Sequence, residues 1–218
     1  MRVVLEPAIN VYSKEELLRR IRLMKDLADI IQIDVVDGIF AQPENIVDLN
    51  IVRRELPPEK IHVHLMVEES EEALEKWRPI APRRITIHVE AERDLVSVLT
   101  LLLAEGIERG LALGPSTPLD RVLPYINTID FLLFVSVPPG RSGQLFDPTT
   151  MERVRTMRQK LPQLPIGVDG GVTKDLLKPL ATAGATSIAV GSALFEAPNP
   201  RLAFMEFREM LSGNPLVT

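Results

Sequence analysis

The chain has 218 residues, 45% of them hydrophobic, with a formal net charge of -5 and no cysteine. That apolar content can bury a substantial core, while the missing cysteines exclude disulfides and thiolate metal sites and suit a reducing cytoplasm. The acidic balance argues against a nucleic-acid or membrane-surface partner.

Met1-Arg2-Val3-Val4-Leu5-Glu6-Pro7 lacks the apolar stretch of a signal peptide. No run approaches the roughly 18 apolar residues of a membrane span, so a cytoplasmic protein is expected. In chain order, β-branched runs predict strands at Val3–Leu5, Ile30–Asp34, Lys60–Leu65, Arg84–His88, Gly110–Leu113, Phe131–Val135, Ile166–Asp169 and Ser187–Val190. A helical pattern follows each, short and irregular after the second. Ser13-Lys14-Glu15-Glu16 has capping-box spacing, and Thr117-Pro118 and Asp147-Pro148 set an N-cap type before proline. Trp77 and Leu101-Leu102-Leu103 read as packing on outer helices. Eight β/α pairs, nearly continuous apolar strands and no linker predict one (β/α)8 barrel domain over 1–218, with a doubly wound open sheet as the rival.

In such a barrel, residues at the carboxyl ends of the strands face the active site. Asp34, His64, His88 and Asp169 all end predicted strands. A carboxylate buried there is costly unless paired, metal-bound or used in chemistry. Side chains two apart share a face, so Gln32, Asp34 and Val36 point inward together, as do His62, His64 and Met66, and Thr86 and His88. His62 lies about 7 Å deeper than His64, which makes it a barrel-filling residue. Asp37, before Gly38, reads as a turn residue. The turns Val137-Pro138-Pro139-Gly140-Arg141-Ser142-Gly143-Gln144 and Gly191-Ser192-Ala193, with Gly170-Gly171, let backbone N–H groups approach an anion and predict a phosphate site.

Several of these segments, in this order, resemble the ribulose-phosphate 3-epimerase family over almost the whole chain. They are Ile33-Asp34-Val35-Val36-Asp37-Gly38-Ile39-Phe40, Val63-His64-Leu65-Met66-Val67, Ile85-Thr86-Ile87-His88-Val89-Glu90-Ala91, Ser136-Val137-Pro138-Pro139-Gly140, Gly143-Gln144, Val168-Asp169-Gly170-Gly171 and Gly191-Ser192-Ala193. The resemblance implies an isomerase of the pentose phosphate pathway that interconverts D-ribulose 5-phosphate and D-xylulose 5-phosphate through an enediolate. Asp34 and Asp169 would be the catalytic acid/base pair on opposite faces of the sugar. With His64 they would also hold a divalent ion (Zn, Mn, Fe or Mg). Substrate contacts would come from His64, Gly140, Arg141, Ser142, Gly143, Gly170, Gly171, Gly191 and Ser192, and His88 would support them. The partner implied is a phosphorylated ketose, and a homo-oligomer is consistent with the family.

This chain departs from the family pattern at the site. Gln32 stands where the family has a histidine, and Ala8 where it has a serine. Val36 and Val135 replace methionines, and Arg141 replaces an aromatic residue. An amide carbonyl suits hard cations but substitutes poorly for imidazole at zinc, which leaves Asp34, His64 and Asp169 as ligands. The competing readings are a catalytically impaired sugar-phosphate-binding paralogue and an epimerase for another ketose phosphate. Related barrel decarboxylases and aldolases typically carry Asp-x-Lys-x-x-Asp on strand three, where this chain reads His62-Val63-His64.

Overall fold

The computed structural model describes residues 2–68, 70–91 and 94–213, so Met1 and 214–218, the ends of the expected domain, lie outside the described residues. Its strands are β1 (Val4–Ile9), β2 (Ile31–Val36), β3 (Ile61–Met66), β4 (Arg84–His88), β5 (Glu108–Leu113), β6 (Phe131–Val135), β7 (Ile166–Asp169) and β8 (Ser187–Val190). Each pairs in parallel with the next, and β8 returns to β1, which closes the barrel and excludes the open sheet. The first strand, expected over Val3–Leu5, runs as β1 to Ile9, and Glu6 finds partners inside the barrel.

The helices are α1 (Lys14–Met24), α2 (Leu49–Glu55), α3 (Glu71–Trp77), α4 (Leu95–Ala104), α5 (Thr149–Lys160), α6 (Leu177–Ala183), α7 (Ser192–Phe195) and α8 (Pro200–Ser212). Ser13 caps α1 by accepting the Glu16 N–H at 3.1 Å, while the Glu16 carboxylate turns to Arg19 and Arg20 instead of closing a capping box. One expected helix is missing. Between β5 and β6 the described residues form only two 3-10 turns, Leu119–Arg121 and Leu123–Tyr125. Pro118 and Pro124 bracket too few residues for a helix, and a proline ring blocks the turn before it. No helix among the described residues is long and apolar enough to cross a membrane.

Strand parity divides the apolar residues into two sets. Outward-facing Ile33, Val63, Ile85, Leu111, Val168 and Ile188 are fully buried against helix residues such as Leu17, Ile21, Leu74 and Leu180. Each such side chain contributes roughly 1.5–3 kcal/mol through burial. Trp77 and Leu102 join this layer, whereas Leu103 turns to solvent. Inside the barrel, Ala112, Phe131, Leu133 and Val135 form a separate cluster.

Beside that cluster lies a buried polar layer. Glu6 accepts from Ser187 Oγ at 2.5 Å and from Arg84 Nη1 at 3.4 Å, and its other oxygen is 2.7 Å from His62 Nδ1. His62 Nε2 is 2.8 Å from Thr86 Oγ1. An ionised Glu6 can only accept, so His62 is the Nδ1–H tautomer and takes the Thr86 hydroxyl proton at Nε2. Arg84 stacks 3.6 Å over the Phe131 ring. Gly110 is required beside this layer, since a Cβ there would lie 2.1 Å from Thr86 Oγ1. His62 is therefore the barrel-filling residue that parity indicated, committed to Glu6 and Thr86.

Burial disfavours charge on Glu6, but the His62 ring, the Arg84 guanidinium and the Ser187 hydroxyl override it and hold the carboxyl at about 2, below its ordinary 4.5. A depressed carboxyl stabilises the fold above its unfolded pKa and loses that contribution as pH falls through the folded one. Stability is thus expected to decline between about pH 4.5 and 2, with Glu6 contributing on the order of 3 kcal/mol. Thermal melts across that window should show a shallower decline for Glu6→Gln than for the parent. Equal slopes would assign the acid sensitivity to other carboxylates.

Candidate active site

The side chains at the carboxyl ends of β2, β3, β4 and β7 converge one layer above Glu6. The β2–β3 register sets Asp34 beside His64, and β3–β4 sets His64 beside Thr86, with His88 one inward position further on. His64 Nδ1 lies 3.1 Å from Asp34 Oδ1 and 3.4 Å from Asp169 Oδ2. His64 is fully buried, Asp34 nearly so, and Asp169 sits at the rim. Gln32 reaches up from below, donating through Nε2 to Asp34 Oδ1 at 2.8 Å and to Asp169 Oδ2 at 2.7 Å. The two aspartates are therefore not an isolated pair. They share both an imidazole and an amide.

Behind His64 runs a line of bonds that ends on a carboxylate. His64 Nε2 is 2.9 Å from His88 Nε2, and His88 Nδ1 is 3.0 Å from Glu90 Oε2. Glu90 also accepts from the Gly114 N–H at 2.7 Å and from the Thr117 hydroxyl. Glu90 can only accept, so His88 donates from Nδ1 and receives the His64 Nε2–H at its other nitrogen. That fixes the His64 ring with Nδ1 facing the aspartates. Phe40, on the loop after β2, lies against His88 with ring centroids 4.9 Å apart. Asp37 serves the turn, accepting from the Ile39, Phe40 and Glu68 N–H groups.

The electrostatics follow from this crowding. Burial works against charge on His64, but hydrogen bonds and charge from Asp169 and Asp34 raise it to about 9. Burial and the neighbouring Asp169 charge push the Asp34 carboxyl up. Asp169 moves down despite burial, because His64, Gln32 and the Gly170 N–H all stabilise its charge. Burial and the His64 charge push His88 down. Glu90 is held at about 2 against the cost of burial by His88, Thr117 and Gly114.

One cleft opens above this layer. Asp34, His64 and Asp169 line it together with Gly140, Arg141, Ser142, Gly143, Gly170, Gly171, Gly191 and Ser192, whereas Gln32 and His88 stand outside its lining. Gly140 has φ +119, and a Cβ there would lie 2.4 Å from the Gln42 carbonyl oxygen. Gly171, at φ +64, packs as tightly against the backbone of Phe146. No other residue type fits either turn without displacing its neighbour. Sequence reasoning passed over Asn10, which also lines the cleft and donates to the Gly140 carbonyl at 2.7 Å. Asn45 donates in turn to Asn10 Oδ1 at 3.0 Å and to the Asp34 carbonyl at 2.8 Å, tying three loops together. An asparagine just past an apolar strand was the only signal of this in the sequence.

The donor set suits a divalent cation: one ligand atom from each of Asp34, His64 and Asp169 lies within 4.8 Å of the other two. Hard carboxylate oxygens with one imidazole accept several divalent ions, so the cluster can hold a metal without specifying which. Gln32 turns its N–H2 group towards these atoms, and its buried Oε1 has no hydrogen-bond partner. The amide as it stands is a donor to the ligands and adds none of its own.

A family model described as the ribulose-phosphate 3 epimerase family matches residues 5–195. A ribulose-phosphate 3-epimerase of Synechocystis sp. is 34% identical over 205 residues, covering 90% of this chain and 89% of that protein. The ribulose-phosphate 3-epimerase, cytoplasmic isoform, of Oryza sativa subsp. japonica is 31% identical, covering 88% of this chain and 87% of its own. Among solved structures, the 3-hexulose-6-phosphate synthase of Salmonella typhimurium superposes with a TM-score of 0.74 at 17% identity, over 96% of this chain and 98% of that one. At that identity the likeness concerns the barrel alone.

Outer partners that orient a ligating histidine typically contribute 10–100-fold to metal affinity. Glu90→Gln keeps the shape and removes the charge behind His88, and should weaken Zn2+ binding by about that factor in a calorimetric titration. Unchanged affinity would detach the His88–Glu90 line from the site.

Proposed function

The chain belongs to the ribulose-phosphate 3-epimerase family and has an isomerase-type function, and from that premise we propose that it interconverts D-ribulose 5-phosphate and D-xylulose 5-phosphate. The observation that carries this reading is the pair of strand-end carboxylates, Asp34 and Asp169, opening into the same cleft as three glycine turns. The turns at Gly140–Gly143, Gly170–Gly171 and Gly191–Ser192 offer backbone N–H groups to the substrate phosphate. Arg141, exposed on the first of them, is the one arginine or lysine among the described residues that line the cleft.

With the phosphate held there, C3 of the ketose lies between the two carboxylates. One of them removes the C3 proton as general base, and the other returns a proton to the opposite face of the enediolate. Reversal exchanges their roles, so both must stay close to the reacting carbon. A carboxylate is a weak base for a carbon acid, and a divalent ion held by Asp34, His64 and Asp169 would supply Lewis-acid stabilisation of the developing oxyanion. The His64–His88–Glu90 line keeps the imidazole oriented while the charge shifts. The cysteine-free sequence, and a relative named as a cytoplasmic isoform, support a cytoplasmic setting.

The direct test incubates the protein with ribulose 5-phosphate and divalent metal in deuterated buffer and follows the C3 proton by NMR. Exchange accompanied by xylulose 5-phosphate is expected. A folded sample without exchange would overturn the proposed substrate pair. Asp34→Asn and Asp169→Asn should each slow exchange by about 10²–10⁴-fold, the usual worth of a general acid or base, while phosphate affinity stays near parental. Near-parental exchange in either variant would overturn the two-carboxylate mechanism.

A further inference from the structure

Gln32 is fully buried at the floor of the cleft, and its side-chain nitrogen occupies an unusual position. Nε2 lies 2.8 Å from Asp34 Oδ1, 2.7 Å from Asp169 Oδ2 and 3.4 Å from His64 Nδ1. These three residues are the ones whose ligand atoms gather within 4.8 Å of one another. The amide nitrogen therefore lies within reach of an atom of each of the three candidate ligands. A cation roughly 2.0–2.2 Å from the same carboxylate oxygens would meet the N–H protons that point at those oxygens, and both carry positive charge. At those oxygens the amide protons and a cation therefore compete.

The far side of the amide tells which contact holds it. Oε1 is buried without a hydrogen-bond partner, so the carboxamide is not anchored by its carbonyl. An unsatisfied buried acceptor is unfavourable, and here it is offset by two charge-assisted bonds from the N–H2 group to the aspartates. The contacts that hold this orientation are thus the two carboxylates and, at 3.4 Å, His64 Nδ1.

We propose that Gln32 is a built-in competitor for the cation site: its N–H2 group bridges Asp34 and Asp169 in the ion-free protein and must be displaced before a divalent ion binds them. The proposal rests on the cation reading given above and deepens it. It makes ion binding reversible and weaker than the three ligands alone would allow, because apparent affinity is reduced by the fraction of molecules in which the site is blocked. It also gives the ion-free protein a way to keep two adjoining carboxylates together without collapse of the site.

The test is calorimetric titration of Mn2+ into ion-free parent, Gln32→Ala and Gln32→Met. Alanine removes the competitor, and methionine removes it while keeping most of the volume, which guards against a variant that fails to fold. Both should bind Mn2+ more tightly than the parent, by about tenfold or more. Binding by the variants that is equal to or weaker than the parent's would overturn the competitor role while leaving the cation site standing. A total lack of binding by all three proteins would overturn both. A second readout needs no variant. In the parent, the side-chain N–H2 resonances of Gln32 should shift when Zn2+ is added to saturation. Resonances that stay in place at saturation would also overturn the proposal.

Discussion

A carboxylate taken out of water must be paired, and this barrel interior contains Glu6 and Asp34, with Asp169 at its rim. Everything polar inside the strands is arranged around that requirement. Glu6 takes His62, Arg84 and Ser187, and the two aspartates take His64 and Gln32. The layers differ in purpose because they differ in what they leave unmet. Around Glu6, among the described residues, no buried side-chain nitrogen or oxygen is left without a protein partner, and the ring of Phe131 packs against Arg84 and His62. Such a layer ties β1, β3, β4 and β8 together inside the barrel. One level higher, an amide oxygen is left without a partner and two carboxylates open into a cleft.

The closed parallel sheet is what keeps these layers apart. Side chains alternate in and out, so residues two apart on one strand stand one above the other. His62 and His64 on β3 are chemically identical and serve unrelated purposes, because one layer faces packed side chains and the other faces the cleft. The loops complete the division of labour. Gly140 and Gly171 line the cleft and press their backbones against Gln42 and Phe146, where a bulkier residue would push them away.

Gln32 gives this site its individual character. A side chain that donates to both aspartates lowers the cost of bringing them together and competes with anything else that would neutralise them. The line from His64 through His88 to Glu90 acts in the other direction, holding the imidazole with Nδ1 towards the aspartates. The centre is thus poised between an internal donor and an external cation. Its membership of an epimerase family sets the chemistry in view, and on the proposal above Gln32 would set how readily an ion takes part.

Much of this was legible in the residues. The eight strand positions, the inward faces of β2, β3 and β4, the two aspartates and the three glycine turns follow from periodicity, turn chemistry and the cost of burying charge, all of which act over a few neighbouring residues. The helix expected between β5 and β6 failed on proline spacing, which is also local and was there to be weighed. Other features depended on the closed sheet. Glu6 became an interior residue only once Arg84 and Ser187, far along the chain, closed around it. Asn10 became part of the cleft only when it met Gly140. Gln32 could be recognised in sequence as an unusual ligand position, but not as a bridge between Asp34 and Asp169, because those carboxylates lie on strands β2 and β7, 135 residues apart in the chain. Local rules determine which residues turn inward. Which of them share a proton, a charge or an amide is decided by the closure of the barrel, because hydrogen bonds act over about 3 Å and only the folded chain brings distant strands that close.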